Sequence, residues 1–323
     1  MDFIYAEEED FNDIKGKNIN ALKFAMMVAV VGRHNIMAIG EPGCGKSAML
    51  KKFPMIMPKL NTEEALTVNR LYDLANIPLH DVDKLIRPFR VPHQTIPLVE
   101  MCGGGANLKP GEISLAHKGM LFLDEATEFK SSVLQMLRVP LECGQITLCR
   151  ANETTVYPSN FQLAMAVNPC PCGCYGQSDK VCLCSLRTIE SYWKKVGNPL
   201  LDRIDIRIDM GSTYTIRQLL DDNELSLKQI RETIEKAQTI QYNRQSKLNG
   251  ILSHNEIEMY CPLSEDALNR LDDFGTITNL SARGRISLIK MARTFADIDE
   301  SDRIETKHMS LALALRGETP IGH

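Results

Sequence analysis

An α/β fold is what this sequence predicts: a parallel sheet flanked by helices, followed by a smaller all-helical unit. Three observations carry it. The apolar run Ile36-Met-Ala-Ile39 leads into Gly40-Glu-Pro-Gly-Cys-Gly-Lys46-Ser47 and then Ala48-Met-Leu50, the order strand, glycine-rich turn, helix. Met120-Leu-Phe-Leu123 and Phe161-Gln-Leu-Ala-Met-Ala-Val167 are short runs without alternation, as expected of parallel strands covered on both faces. From about Thr215 to Leu315 the strand signals stop and apolar residues recur at helical spacing. The change of pattern near Gly211 divides the 323 residues into an α/β domain, residues 1–211, and a helical domain, residues 212–323.

The elements follow in order. Leu22, Phe24, Ala25, Met26, Val28 and Ala29 place a helix over residues 18–32, ahead of the first strand. Pro54 and Pro58 interrupt the chain beyond the glycine-rich turn, and Asn61 or Thr62 caps a helix that runs to Asn76. Arg87-Pro-Phe-Arg-Val91 reads as a short edge strand, where a proline is tolerated. Gly103-Gly-Gly105 and Lys109-Pro-Gly111 bracket a loop-rich insert. Gln145–Arg150 and Thr154–Tyr157 flank Ala151-Asn-Glu153 as a β-hairpin with a polar tip. Ile204-Asp-Ile-Arg-Ile208 alternates and reads as the last strand. Beyond it, helices are expected over Leu227–Asn243, with Ser226 and Gln229 at capping-box spacing, and over Ser281–Ala296.

Composition narrows the function classes. Hydrophobic content is 44%, and no stretch is apolar for long enough to span a bilayer. Met1–Asp10 is acidic and lacks a charged-then-apolar leader, so a cytoplasmic location is expected. The formal net charge of −4 argues against a nucleic-acid binder that coats its surface with Lys and Arg, but not against one that grips a strand in a central pore.

The glycine-rich turn points to a triphosphate. Its backbone amides can curl around a phosphate, and the expected nucleotide-binding residues are Gly40, Glu41, Pro42, Gly43, Cys44, Gly45, Lys46, Ser47 and Ala48. With ATP and Mg²⁺ as ligands, Lys46 reaches the β- and γ-phosphates and Ser47 offers its hydroxyl to the metal. Asp124 and Glu125 close the second apolar run. Neighbouring parallel strands end at one crevice, so Asp124 helps hold Mg²⁺ and Glu125 polarises a water for in-line attack. Asn168, at the end of the third run, either meets the water or γ-phosphate or merely forms the turn before Pro169. Arg203, just before the last strand, neutralises transition-state charge in its own subunit or a neighbour's, or else makes a surface ion pair.

Of 10 cysteines, five lie between Cys170 and Cys184, which in a reducing compartment points to metal. Cys170-Pro-Cys172 and Cys182-Leu-Cys184 form two Cys-x-Cys pairs suited to a tetrahedral structural Zn²⁺, with Cys174 as a fifth candidate and free buried thiols as the alternative.

These strings together resemble the magnesium-chelatase-like branch of the AAA+ ATPases, most closely the ComM/YifB type. The resemblance rests on Arg87-Pro-Phe-Arg-Val-Pro-His93, Lys109-Pro-Gly-Glu-Ile-Ser-Leu-Ala-His117, Gly119–Glu125, Asn168-Pro-Cys-Pro-Cys-Gly173, Pro199-Leu-Leu-Asp-Arg-Ile-Asp205 and Ser281-Ala-Arg-Gly284. It runs from about Phe11 to Leu315. It implies that Asn168 is sensor 1, Arg203 the arginine finger serving the next subunit, and Arg283 sensor 2, reaching from the helical lid to the nucleotide. It further implies a homo-oligomeric ring, most simply a hexamer, whose pore is lined by the hairpin at Ala151–Glu153, with Arg150 facing a phosphate backbone or simply solvated. The resemblance also selects Cys170, Cys172, Cys182 and Cys184 as the Zn²⁺ ligands over Cys174. Metal in that loop, residues 168–185, is expected to stiffen the path from nucleotide to pore.

The sequence departs from the family in three places, the slightest being Lys17 where Gln is usual after Gly16, a change expected not to touch the phosphate chemistry. The type carries an N-terminal domain resembling that of Lon-type proteases, which is expected to be missing because the P-loop begins at residue 40. Gln94 replaces the second residue of a His-His pair, a change expected not to touch the phosphate chemistry, and His93 is read as structural. The implied function is an ATP-hydrolysing ring motor on single-stranded or branched DNA, as a helicase or branch-migration enzyme. The alternatives are the ATPase motor of a magnesium chelatase and a protein-remodelling module.

Overall fold

The computed structural model describes residues 11–14, 18–77, 85–150, 153–177, 180–211, 225–278 and 280–317. The acidic segment Met1–Asp10, the hairpin tip Ala151-Asn152 and residues 212–224, where the domain junction is expected, lie outside them.

Five strands form the central sheet: β1 (Ile36–Ile39), β2 (Phe89–Arg90), β5 (Met120–Leu123), β8 (Gln162–Val167) and β9 (Ile206–Asp209). Their order is β2-β5-β8-β1-β9, every pairing parallel, with Ile36 opposite Ala164 and Ile206, and Leu123 opposite Met165. The expected strand takes the edge, as the sequence predicts, but is confined to Phe89–Arg90, with Pro88 just outside it. Side chains alternate between faces. Ile36, Ala38, Phe122, Ala166 and Ile208 join one buried cluster, and Met37, Ile39, Leu121, Leu123 and Met165 join another. Because both faces are covered, β1 and β5 show no polar alternation, whereas the edge strand β9 keeps it at Arg207 and Asp209.

The first cluster is closed by the helices α1 (Ile19–Gly32), Leu227–Gln245 and Ala282–Ile298, through Leu22, Met26, Ile234, Leu288 and Phe295. Gln238 and Gln241 donate from Nε2 to the Val30 and Val31 carbonyls at 2.8 and 3.2 Å, satisfying acceptors that the end of α1 leaves open. The capping boxes Asn61–Glu64 and Ser226–Gln229 start their helices where the sequence places them.

Two expectations change. The glycine-rich insert is no mere loop: β3 (Gly103–Gly104) pairs antiparallel with β4 (Lys109–Pro110). A Cβ on Gly111 would lie 2.2 Å from the Gly103 nitrogen, so the close approach of the two backbones requires glycine. The last strand begins at Ile206, two residues later than its alternation indicates, because Asn35 O takes the amides of Asp205 and Ile206 before the ladder starts. The hairpin β6 (Gln145–Arg150) and β7 (Glu153–Pro158) forms as expected, outside the main sheet.

In the helical region, buried Asp297 accepts from Arg244 at 2.5 and 2.9 Å, from Arg293 at 3.0 and 2.7 Å and from Asn249 at 2.8 Å. Asp297→Ala strands two guanidinium groups around an empty position and is expected to destabilise by about 3–5 kcal/mol. Chemical denaturation measures this; a loss near zero would mean that the two arginines find other acceptors.

Candidate nucleotide and metal sites

The site lies at the carboxyl ends of β1, β5 and β8. Gly40 N–H donates to Val167 O at 3.1 Å, tying the end of β1 to that of β8. The chain then turns through Gly43 (φ 82°) and Gly45 (φ 89°) into the helix α2 (Lys46–Leu50). Gly45 is doubly required: besides its left-handed backbone, a Cβ there would come within 2.9 Å of Ile19 Cδ1.

Lys46 is buried, and its ammonium donates to Gly40 O at 2.6 Å, Glu41 O at 2.8 Å and Asn168 Oδ1 at 3.3 Å. Burial lowers its pKa below the usual lysine value, because the charged form loses solvation. Ser47 Oγ donates to Asp124 Oδ1 at 2.5 Å, and Lys51 Nζ stands 3.5 Å from Asp124 Oδ2. A hydroxyl and a carboxylate thus share one point at the mouth of the loop, a hard-oxygen pair of the kind Mg²⁺ takes. Glu125 follows in the left-handed region (φ 49°), which turns its side chain out of the strand direction and into solvent.

Sequence alone gives Gln94 no part here, yet Gln94 Nε2 donates to Glu125 Oε2. Nothing in the spacing signals it: the two residues are brought together by the edge position of β2 and the turn that follows it. His93 bonds Thr95 Oγ1 at 2.9 Å.

Arg203 and Arg283 meet on one carboxylate. Arg203 Nη1 donates to Pro199 O at 2.6 Å and its Nη2 to Glu142, while Arg283 Nη2 reaches Glu142 Oε1 at 2.7 Å. The two guanidinium groups hold the Glu142 carboxyl below the usual range, Arg203 contributing most. Neither arginine is hydrogen-bonded to a P-loop residue. Arg203 Nε is buried and has no hydrogen-bond partner among the described residues. Arg150 ends β6, exposed, with Nη1 donating to Gly105 O at 3.2 Å.

Cys170, Cys172, Cys182 and Cys184 converge, their sulfurs all within 4.8 Å of one another. The separations 3.3, 3.7 and 3.6 Å among the first three sit close to the edge of about 3.8 Å that four Zn–S bonds of about 2.3 Å impose on a tetrahedron. Cys174 is turned aside, its thiol donating to the Cys172 carbonyl at 3.5 Å. An amide hydrogen bond from Cys174 and a thiol hydrogen bond from Cys170 bring Cys172 down to about 6, while, against the Cys184 amide, desolvation and the neighbouring Cys172 and Cys170 push Cys182 up to about 12. This loop leans directly on the P-loop. A Cβ on Gly173 would lie 2.4 Å from Pro42 Cδ, and Lys180 pairs with Glu41.

Sequence comparison gives the lineage of this arrangement. Residues 10–218 match the family described as magnesium chelatase, subunit ChlI, and residues 224–316 match its C-terminal family. The chain belongs to the magnesium chelatase ChlI family. It is 37% identical over 310 residues to a protein of Salmonella typhimurium called uncharacterized protein YifB, and 37% identical over 315 residues to its Escherichia coli counterpart. It is 36% identical over 317 residues to the competence protein ComM of Haemophilus influenzae. These alignments cover 95–96% of this chain but 60–61% of each relative, so the chain spans about three fifths of the relatives' length. The family and the sheet-plus-helical architecture together make it an AAA+ family member. Among the described residues no helix is long and apolar enough to cross a membrane.

Proposed function

We propose that the chain is an ATP-hydrolysing ring motor. The observation that carries this reading is the Ser47–Asp124 pair beside the Lys46 ammonium, with Glu125 next in the chain. Lys46 exchanges its loop carbonyls for β- and γ-phosphate oxygens, and Ser47 and Asp124 hold Mg²⁺. A Mg²⁺ held by Ser47 and Asp124 would supply positive charge against the charge that develops on the phosphates. Glu125 takes a proton from the attacking water, and Asn168, already on Lys46, orients the water or the γ-phosphate as sensor 1. Arg203 and Arg283 act as finger and sensor 2 once a neighbouring subunit offers its phosphates in place of Glu142. A homo-hexameric ring of subunits, each with an α/β domain ending near Gly211, supplies that neighbour.

DNA is the substrate we favour. The β6–β7 hairpin stands outside the main sheet with Arg150 at its end, fit for a phosphate backbone in a pore. The test is ATPase rate with and without single-stranded and branched DNA at low salt, with particle size measured in ATP. Stimulation by DNA of a hexamer-sized particle is expected. A size that stays monomeric in ATP, or a rate indifferent to every DNA, overturns the motor on DNA. The match to a magnesium chelatase subunit favours a second reading, a motor driving metal insertion with partner subunits.

Cys170, Cys172, Cys182 and Cys184 hold a structural Zn²⁺ that keeps Gly173 against Pro42 and so firms the P-loop. The double variant Cys172→Ser, Cys182→Ser is expected to lose bound zinc, from about one per chain to none, and to bind ATP more weakly. Elemental analysis of the purified chain and calorimetric ATP titration read both. Unchanged zinc would exclude these ligands, and unchanged ATP affinity would exclude the coupling.

A further inference from the structure

The end of the sheet opposite the P-loop is hollow. A cavity of about 360 Å³ opens there between the strand N-termini and the helix Leu227–Gln245. Its charged lining is unbalanced: Arg33, Lys59, Arg87, Lys118 and Lys247 against Glu64. Lys247 is offset by Glu256 at 2.5 Å, and Glu64 is shared by Arg87 at 3.2 Å and Lys118 at 3.3 Å. The remaining cations outnumber the one carboxylate.

Arg33 is the centre of this imbalance. Its hydrogen bonds within the protein leave from Nη2 alone, to Asn160 O at 2.8 Å and Asn160 Oδ1 at 2.6 Å. Among the described residues its other donors have no partner, and Arg33 lines the cavity. Burial, and the like charge of Arg87, bring Arg33 down to about 10, a cost that a bound anion would reverse. The Lys59 ammonium likewise has no hydrogen-bond or ion-pair partner among the described residues.

Arg33 (φ 59°) ends α1 as its left-handed cap, its N–H on the Ala29 and Val30 carbonyls, and Lys118 (φ 62°) turns the chain before β5. The rest of the wall fits an organic group: Met57, Leu60, Leu248 and Ile251 supply apolar surface, and Tyr242 an aromatic ring.

We propose that this cavity binds a small phosphate monoester, its phosphate on Arg33 and Lys59 and its organic part against Tyr242 and the apolar wall. The lining joins residues that precede β1, β2, β5 and β8 to the helical region, so occupancy links the two. This goes beyond the ATPase reading and does not depend on it.

The test uses the full chain carrying Lys46→Ala, so that the P-loop does not compete, titrated calorimetrically with ribose 5-phosphate and, separately, with inorganic phosphate. Saturable one-site binding of ribose 5-phosphate is expected, tighter than that of phosphate. Adding Arg33→Asn should weaken it at least about tenfold, the loss of one charge-assisted contact. Asn accepts the left-handed backbone, so circular dichroism and melting should show an intact fold. If that variant does not fold, Lys59→Gln decides by the same tenfold criterion. No saturable binding, or parental affinity in the folded variant, overturns the site. Phosphate binding as tightly as the ester overturns the organic half of the assignment.

Discussion

Glu125→Gln is expected to bind ATP as the parent does and to hydrolyse it about 10²–10⁴-fold more slowly, whereas Lys46→Ala fails at binding. The contrast follows from where the two side chains sit. Lys46 is buried, its ammonium on Gly40 O, Glu41 O and Asn168 Oδ1, so its removal takes from the loop the one cation built into its floor. Glu125 is exposed beyond the end of β5, in contact with Gln94 and with no hydrogen bond to any loop atom. An amide there preserves shape and the reach to Gln94 but cannot accept a proton from water. Equilibrium titration and single-turnover hydrolysis separate the two effects. Parental turnover in Glu125→Gln would remove Glu125 from the chemistry, and lost binding would make it a structural residue of the site.

How much of this was legible depends on how local each feature is. The P-loop could be read because its glycines are demanded by the backbone itself, at φ 82° and 89°, and because a buried strand must precede it. The helix starts at Asn61 and Ser226 were legible for the same reason: a cap and its partner lie three residues apart. The choice of Cys170, Cys172, Cys182 and Cys184 as one group comes from spacing plus resemblance, and their sulfurs do converge. What escaped were contacts fixed by packing. Gln94 reaches Glu125 only because β2 pairs with β5, a contact that no local pattern announces. Gly119 gives no signal in sequence, yet a Cβ there would lie 1.9 Å from Pro88 O, so that same pairing depends on its absence. The arrival of Arg283 beside Arg203 likewise depends on how the helix Ala282–Ile298 packs against the sheet domain. The cationic cavity has no motif at all, since its residues come from loops before four different strands and from the helical region.

Arg203→Ala is expected to bind ATP normally and to lose about 10³-fold or more in hydrolysis, through an effect on the neighbouring subunit rather than its own. Arg203 is anchored by Pro199 O and Glu142, with Arg283 on the same carboxylate, and neither arginine bonds the P-loop of its own chain. Two cations gathered on one half-exposed glutamate form a ready-made acceptor for phosphate charge presented from outside the subunit. Complementation distinguishes this from action within one chain. Arg203→Ala subunits keep a complete Lys46–Asp124–Glu125 site but offer no finger; Glu125→Gln subunits offer the finger but turn over slowly. Mixed in equal amounts, two inactive variants should regain roughly a quarter of parental turnover, since half the sites are intact and half of those meet a finger-bearing neighbour. If the finger serves its own subunit, each variant stays inactive in the mixture. Turnover that never rises above the sum of the separate variants, in rings shown to exchange subunits, would rule out action across the interface.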